Sequence, residues 1–125
     1  MTRSIVVLFL LLSLMLALPA YAVDEVSEID VCRDFSMIAK DIMTARQKKR
    51  PMSETLPIAV DRIEDWVEEY GFEIDSEEMA ATLVIAAHEN RVFPNSSIYE
   101  EERREEISEF ENYYFEECYK GLTSD

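Results

Sequence analysis

The sequence predicts an all-α protein, a small bundle of about four helices closed by one disulfide between the first and the last helix. Apolar residues recur with the three-and-four spacing of a helical face in four segments, and the chain has only two glycines. No stretch alternates apolar and polar residues as a half-buried strand does. Short connectors between such segments are typical of a helical bundle.

The first helix is predicted to begin at Ser27, because Ser27-Glu28-Ile29-Asp30 resembles a capping box with Asp in the place of the usual Glu. Pro51 stops it, and since a residue before proline is pushed out of the helical region, we expect the end near Lys48 to Arg50. One face of this helix carries Ile29, Cys32, Phe35, Ala39, Ile42 and Met43.

The second helix is predicted to have Ser53 as its N-cap and to end at Gly71, which suits the left-handed residue that follows many helices. Pro57 is tolerable near the first turn, where few amides have partners within the helix. The apolar face consists of Leu56, Ala59, Val60, Ile63, Trp66, Val67 and Tyr70.

The third and fourth helices have their own start signals. Asp75 or Ser76 is expected to cap the third, whose run from Met79 to Ala87 is apolar nearly all round, as in a helix at the centre of a bundle or under a dimer partner. Ser97-Ile98-Tyr99-Glu100 predicts a capping box for the fourth, which should run to about Lys120, before Gly121.

Residues 1–22 resemble a cleaved secretory signal peptide. Arg3 precedes an apolar run from Ile5 to Leu18, and Ala20-Tyr21-Ala22 supplies the small residues of a cleavage site. The run is shorter than the ~20 residues that cross a bilayer. We therefore expect residues 23–125 to be a single exported domain, most simply periplasmic, with no stable membrane span after cleavage. An uncleaved anchor is the alternative.

Cys32 and Cys118 would lie near the two ends of that domain, in an oxidising compartment. An intramolecular bridge between them is the favoured prediction, and free thiols or an intermolecular bridge are the alternatives. The bridge would make the first and last helices antiparallel neighbours. Counting equal distances along both helices then places Lys48 opposite Glu102 and Arg50 opposite Glu100.

The chain has a formal net charge of −15, and removal of Arg3 with the signal would leave 11 basic residues against 27 acidic ones, or −16. Such a surface repels nucleic acid and anionic lipid headgroups, so we expect no nucleic-acid partner. Electrostatics would favour cations, basic proteins or positively charged patches as partners. The alternative is that the charge serves solubility alone.

The segment "TARQKKRPMS", residues 44–53, contains four of the twelve basic residues. We expect much of this charge to be neutralised by glutamates of the last helix at the same level. A docking site for an anionic partner, or a helix end whose cations the dipole favours, are the other interpretations.

No catalytic constellation is found, and an enzyme is not expected. His88 is the only histidine, without a second metal ligand at helical spacing or a paired nucleophile, and is interpreted as a partly buried residue at a helix end. The glutamates from Glu100 to Glu109 could attract a hard cation, but the Asp-rich calcium loop is absent. We predict no cofactor and no metal site.

Aromatic residues surround the second cysteine. Tyr113, Tyr114, Phe115 and Tyr119 exceed what one helix face can bury, so part of this group is a possible partner surface. Packing around the bridge and against the first helix is the alternative.

A further set of residues carries a resemblance. It consists of Cys32, Ile42-Met43, Arg46-Gln47, Met52-Ser53, the apolar run from Leu83 to Ala87 with Glu89, and Phe110, Asn112 and Cys118. With these residues the chain resembles a family of small, mostly uncharacterised exported helical proteins of Gram-negative bacteria and their phages. The resemblance implies a helical fold with a terminal cysteine pair and brings no established activity.

Within that pattern, Arg46, Gln47 and Ser53 are interpreted as a structural motif, and we expect Arg46 and Gln47 to tie the start of the next helix to the first. His88 stands where a tyrosine is usual, and Lys48-Lys49-Arg50 stand where a glycine is common.

The functional hypothesis is a periplasmic protein that binds another protein as an accessory, inhibitor or modulator. The apolar third helix and the surplus aromatics support it. The alternative is a small acid- or stress-responsive periplasmic chaperone, in which acid would discharge the carboxylates and expose apolar surface.

Overall fold

A computed structural model describes residues 27–124, and the predicted signal peptide, residues 1–22, lies outside the described residues. Within that range the chain forms four α-helices, one 3₁₀ turn and no strand, which confirms the predicted all-α bundle. The elements are α1 (Glu28–Gln47), α2 (Met52–Tyr70), α3 (Ser76–His88), the 3₁₀ turn Ser97–Tyr99, and α4 (Glu100–Thr123).

The central helix is α1. It packs most extensively against α4, and also against α2 and α3, while α2 and α3 pair as a helical hairpin. Its apolar face supplies six of the fourteen buried residues of the core cluster, including Phe35, Ala39 and Met43. The third helix is thus not the central one. It packs mainly on α2, and although its Ala80 and Ala87 are fully buried, Ile85 remains 49% exposed.

A disulfide joins Cys32 near the start of α1 to Cys118 near the end of α4, with 5.5 Å between their Cα atoms. The bridge between the first and last helices is confirmed, and the two helices are antiparallel. Cys32 is fully buried, so the bridge is part of the core. Closing a loop of this length stabilises the fold by roughly 4 to 5 kcal/mol in the chain-entropy model, which is an upper figure.

Several helix ends follow the predicted signals. The Ser27 hydroxyl accepts a hydrogen bond from the Ile29 amide at 3.1 Å and caps α1. The Asp75 carboxylate accepts from the amides of Glu77 and Glu78 and caps α3. Gly71 ends α2 in the left-handed region, at φ 69°, which a residue with a Cβ rarely adopts.

The predicted start of α2 is wrong by two residues. Pro51 is the N-cap, and Ser53 lies inside the first turn. The Pro51 carbonyl accepts from the amides of Glu54 and Thr55, and the Thr55 hydroxyl adds a bond to it at 3.3 Å. The backbone of Pro51 is extended, and proline has no N–H that needs a partner before the helix. Its carbonyl therefore takes the place of a side-chain cap.

The expected capping box of α4 does not form. Ser96, not Ser97, caps this region by accepting from the Ile98 amide at 3.4 Å, and the 3₁₀ turn intervenes before α4 begins at Glu100. The Arg103 guanidinium donates to the carbonyls of Pro94 and Ser96 and so fixes the segment that leads into α4. At the other end, α4 continues past Gly121 to Thr123, beyond the predicted end.

Candidate functional site

An open apolar groove lies between α3 and α4. Both helices pack on the rest of the bundle but scarcely touch each other, and the space between them has a volume of about 410 Å³. The polar residues of the lining are Thr82 and Glu117. The others are Phe35, Trp66, Phe72, Ile74, Met79, Leu83, Tyr114, Cys118, Gly121 and Leu122.

The floor of the groove is a row of four aromatic rings, Phe72, Trp66, Phe35 and Tyr114, which we call the aromatic row. Neighbouring centroids are 4.9 Å, 4.9 Å and 6.3 Å apart in that order. The indole Nε1 of Trp66 donates to the Val31 carbonyl at 3.0 Å, which fixes the ring in one orientation. Packed rings, one of them fixed by a hydrogen bond, give the groove a preformed floor rather than one that must assemble on binding.

The two walls differ in origin. Ile74, in the connector before α3, and Met79, in its first turns, form one wall, and Leu122 near the end of α4 stands in the other. Ile74 is 37% exposed and Leu122 36% exposed, so apolar side chains reach the rim. The bridge through Cys118 fixes the distance of the α4 wall from α1.

The surroundings of the groove are acidic. Glu117 lines it, the exposed Glu73 and Asp75 flank Ile74 in the chain, and Lys120 is 3.9 Å from the Glu117 carboxylate. The pKa of the Tyr114 hydroxyl is raised, first by burial and then by the nearby charges of Tyr113, Glu89 and Glu117. A positively charged segment would meet favourable potential at this rim.

The four aromatic residues of the predicted partner surface do not form one surface. Tyr114 lies in the groove floor and packs against Phe110, with 4.8 Å between the ring centroids. Tyr113 is 56% exposed, and Phe115 stacks on the 40% exposed Tyr119 at 6.2 Å. At 100° per residue, Tyr113 and the stacked pair lie on opposite flanks of α4.

Sequence reasoning missed most of the groove. Phe72 and Ile74 lie in a connector, Met79 in α3 and Leu122 near the end of α4, and no spacing rule joins them. One signal was available: the connector between α2 and α3 carries two large apolar residues where polar turn residues are usual.

Arg46 and Gln47 have a fold role, but their partner differs from the expected one. The Gln47 amide is 5% exposed, donates through Nε2 to the Arg91 carbonyl at 2.7 Å, and accepts through Oε1 from the Phe93 amide at 3.1 Å. Arg46 Nη2 donates to the His88 carbonyl at 3.2 Å. Both side chains therefore fasten the connector between α3 and α4 to the end of α1, rather than the start of α2.

The basic segment and the start of α4 lie at the same end of the bundle, where Lys48, Lys49 and Glu100 line one pocket. The expected ion pairs between them are not formed in the described part of the chain. Glu100 instead pairs with Arg104 of its own helix at 2.8 Å, and Arg50 approaches Glu54 of α2 at 4.0 Å. Glu100 and Arg104 are four residues apart on one helix, a spacing that makes their side chains neighbours.

His88 lies half-buried in the last turn of α3, with Nδ1 3.1 Å from the Val84 carbonyl, and this contact anchors the ring to its own helix. Across residues 27–124 there is no group of three or more side chains placed to hold a metal ion. None of the helices described here combines the length and the apolar character that crossing a bilayer requires.

Comparisons with protein-family models, with curated proteins and with solved structures found no match to this chain. The groove and the charge around it are therefore the features of the chain that bear on its function.

Proposed function

We propose that this protein is an exported, periplasmic protein-binding module, acting as an accessory, inhibitor or modulator. Its groove would accept an apolar segment that is flanked by Lys or Arg and belongs to another exported protein. The observation that supports this most strongly is an open groove of about 410 Å³ with an aromatic floor in an otherwise acidic molecule.

The shape of the groove favours a helical segment as the ligand. Two helices flank a trough whose floor runs along the aromatic row, and an amphipathic helix can place side chains at i, i+3 or i+4 and i+7 into such a trough. Binding would remove Ile74 and Leu122, each more than a third exposed, from water. Buried aromatic residues at the centre of a contact are frequent sources of binding energy.

The charge decides which segments are accepted. A net charge of −15 and the carboxylate of Glu117 in the lining favour a ligand that carries cations beside its apolar residues. An acidic segment of equal hydrophobicity would meet like charges, which cost binding energy and suppress wrong partners. The disulfide suits the oxidising compartment that the proposal assigns to the protein.

Trp66 provides the test, because it is the only tryptophan of the chain and lines the groove. We expect an amphipathic helical peptide of Leu and Lys to bind saturably and to change the Trp66 emission. The same peptide with Glu in place of Lys should leave the emission unchanged. Substitution Leu122→Lys should weaken the binding of the Lys peptide about tenfold or more.

Ile98→Lys is the matched control, since Ile98 is 78% exposed and lies outside the groove lining. This variant should bind the Lys peptide like the unchanged protein. Equal responses to the Lys and Glu peptides, or full binding by Leu122→Lys, would contradict the proposal. If the peptide results agree with the proposal, photo-crosslinking from position 122 in living cells would identify the natural partner.

A second candidate function is an acid-responsive chaperone. The observation that favours it is the small share of carboxylates in ion pairs: within the described residues only five take part, on Asp30, Asp41, Glu54, Glu100 and Glu117. Acid would discharge the remaining carboxylates. This would lower the repulsion among them and also the repulsion between this protein and client proteins. Suppression of client aggregation at low pH but not at neutral pH would support this function, and a lack of suppression at both would exclude it.

A further inference from the structure

We propose that a second, basic pocket binds a small soluble phosphomonoester as its dianion. The pocket lies at the opposite end of α4 from the groove, between the end of α1 and the start of α4, and has a volume of about 550 Å³. Its lining contains four cationic side chains, Lys48, Lys49, Arg103 and Arg104, and one carboxylate, Glu100.

The charge of the pocket lining is opposite in sign to that of the whole molecule. The chain has a net charge of −15, whereas this lining has an excess of three positive charges. The carboxylate of Glu100 is already paired with Arg104 at 2.8 Å. Within residues 27–124, no carboxylate lies within 4.0 Å of the Lys48 or Lys49 ammonium groups. Two ammonium groups are thus left to attract an external anion.

Stabilisation of helix ends explains only two of the four cationic side chains. Lys48 and Lys49 follow the C-terminus of α1, where the helix dipole favours cations. Arg103 and Arg104 lie in the first two turns of α4, where the dipole favours anions instead. Cations at that position oppose the local field, and an anion bound among them would relieve the conflict.

Arg103 is held ready for such an anion. Its Nη1 donates to the carbonyls of Pro94 and Ser96, the second at 3.0 Å, so the guanidinium is anchored on one side. A guanidinium has five N–H groups, and in the described part of the chain Nη1 alone is engaged. A planar guanidinium with free N–H groups can bind phosphate oxygens in pairs, and lysines add point charges.

Lys49 occupies its position at a conformational cost. Among residues 27–124 it is the only non-glycine with a positive φ, at 62°. The left-handed region disfavours a residue with a Cβ, and glycine would adopt it without strain. Replacing Lys49 by glycine therefore relaxes the backbone while removing one of the ammonium groups. The substitution should thus raise stability while it weakens binding, so the two effects can be told apart.

The ligand class follows from the charge and the size. A single phosphate is much smaller than the pocket, so a phosphate on a small organic body fits better. Phosphomonoesters also occur as lipid headgroups, but a molecule with this net charge is repelled by an anionic membrane. We therefore assign the pocket to a soluble ligand.

Isothermal titration calorimetry at low salt tests the assignment, with glycerol 3-phosphate as the probe. Glycerate, in which a carboxylate replaces the phosphorylated CH₂ group, and vesicles containing phosphatidic acid are the comparison ligands. We expect glycerol 3-phosphate to bind, glycerate to bind at least about tenfold more weakly, and the vesicles not to bind.

Lys49→Gly should weaken glycerol 3-phosphate binding about tenfold while raising the melting temperature by a few degrees. Lys120→Gln removes the same charge from the far end of α4 and should leave the affinity unchanged. Absence of binding to the unchanged protein, an unaltered affinity in Lys49→Gly, or an equal loss in Lys120→Gln would overturn the assignment. Glycerate bound equally well, or binding to the vesicles alone, would overturn the ligand class.

Discussion

Gln47 shows how one side chain can fix a connector. Its amide is buried at the end of α1, and each of its polar atoms meets a backbone group of the segment after α3, at Arg91 and Phe93. The two bonds also assign the amide orientation, because only one arrangement places the donor on a carbonyl and the acceptor on an amide. A residue beside the conspicuous basic cluster thus positions the chain that leads into α4.

We predict that Gln47→Leu lowers the free energy of unfolding by about 2 to 4 kcal/mol, because the Arg91 carbonyl and the Phe93 amide would lose their partners. Urea denaturation followed by circular dichroism measures the change. Lys48→Ala, at the exposed neighbouring position, is the control and should shift stability by less than about 0.5 kcal/mol. Equal effects of the two substitutions would remove Gln47 from this role.

Tyr70 reports a second local contact. Its hydroxyl donates to the Asp34 carboxylate, and this hydrogen bond, with smaller effects of burial and nearby charge, raises the pKa of Tyr70 from 10.0 to about 12. The folded state thus favours the protonated phenol. Its contribution to stability is complete below pH 10 and is lost as the pH rises through about 12.

We predict that spectrophotometric titration of the tyrosines finds one group with a pKa of about 12 that disappears in Tyr70→Phe. In Asp34→Asn the carboxylate is absent, so the pKa of Tyr70 should fall toward the ordinary value of about 10. The pKa of Tyr114 is also raised, so its late titration should persist in both variants. A pKa of Tyr70 that stays near 12 in Asp34→Asn would contradict the Asp34 contact.

At the scale of the elements, α4 is the helix most dependent on covalent attachment. It packs chiefly on α1, and Phe110 is its only buried residue, with Tyr114 and Cys118 partly buried beside it. The core of the other three helices does not need α4 in the same way, because α2 and α3 also pack on each other.

We predict that replacing Cys32 and Cys118 by Ala lowers stability by about 2 to 4 kcal/mol and releases α4 before the rest of the bundle. Native-state hydrogen exchange should show protection lost first in residues 107–123 and retained longest in α1. Reduction of the unchanged protein should give the same order. A uniform loss of protection in all four helices would contradict this dependence.

The helix starts show what a sequence pattern leaves undecided. Ser27 caps α1 as predicted, and of the two candidates Asp75 and Ser76 it is Asp75 that caps α3. At α2 the carbonyl of Pro51 accepts the first amides before Ser53 can act, and at α4 Ser96 acts instead of the adjacent Ser97. Which of two neighbouring groups with similar chemistry caps the helix depends on the path of the chain before the helix. Tertiary contacts such as those of Arg103 determine that path.

At the scale of the whole molecule, helical periodicity and the cysteine pair were sufficient to predict the bundle and its closure. Counting residues along the two helices also placed the basic segment beside the start of α4, although Glu100 pairs with Arg104 of its own helix instead. The groove had no such signal. It exists because α3 and α4 scarcely touch, and the angles at which helices cross depend on the whole set of side chains between them.

The most direct test of the central claim is a map of the amide chemical shifts of the isotopically labelled protein while the Leu and Lys peptide is added. Binding in the groove predicts saturable shifts concentrated in residues 72–83 and 114–122, around the aromatic row. Shifts concentrated around residues 44–50 and 100–107, or no saturable shifts anywhere, would contradict binding of a basic apolar segment by this groove.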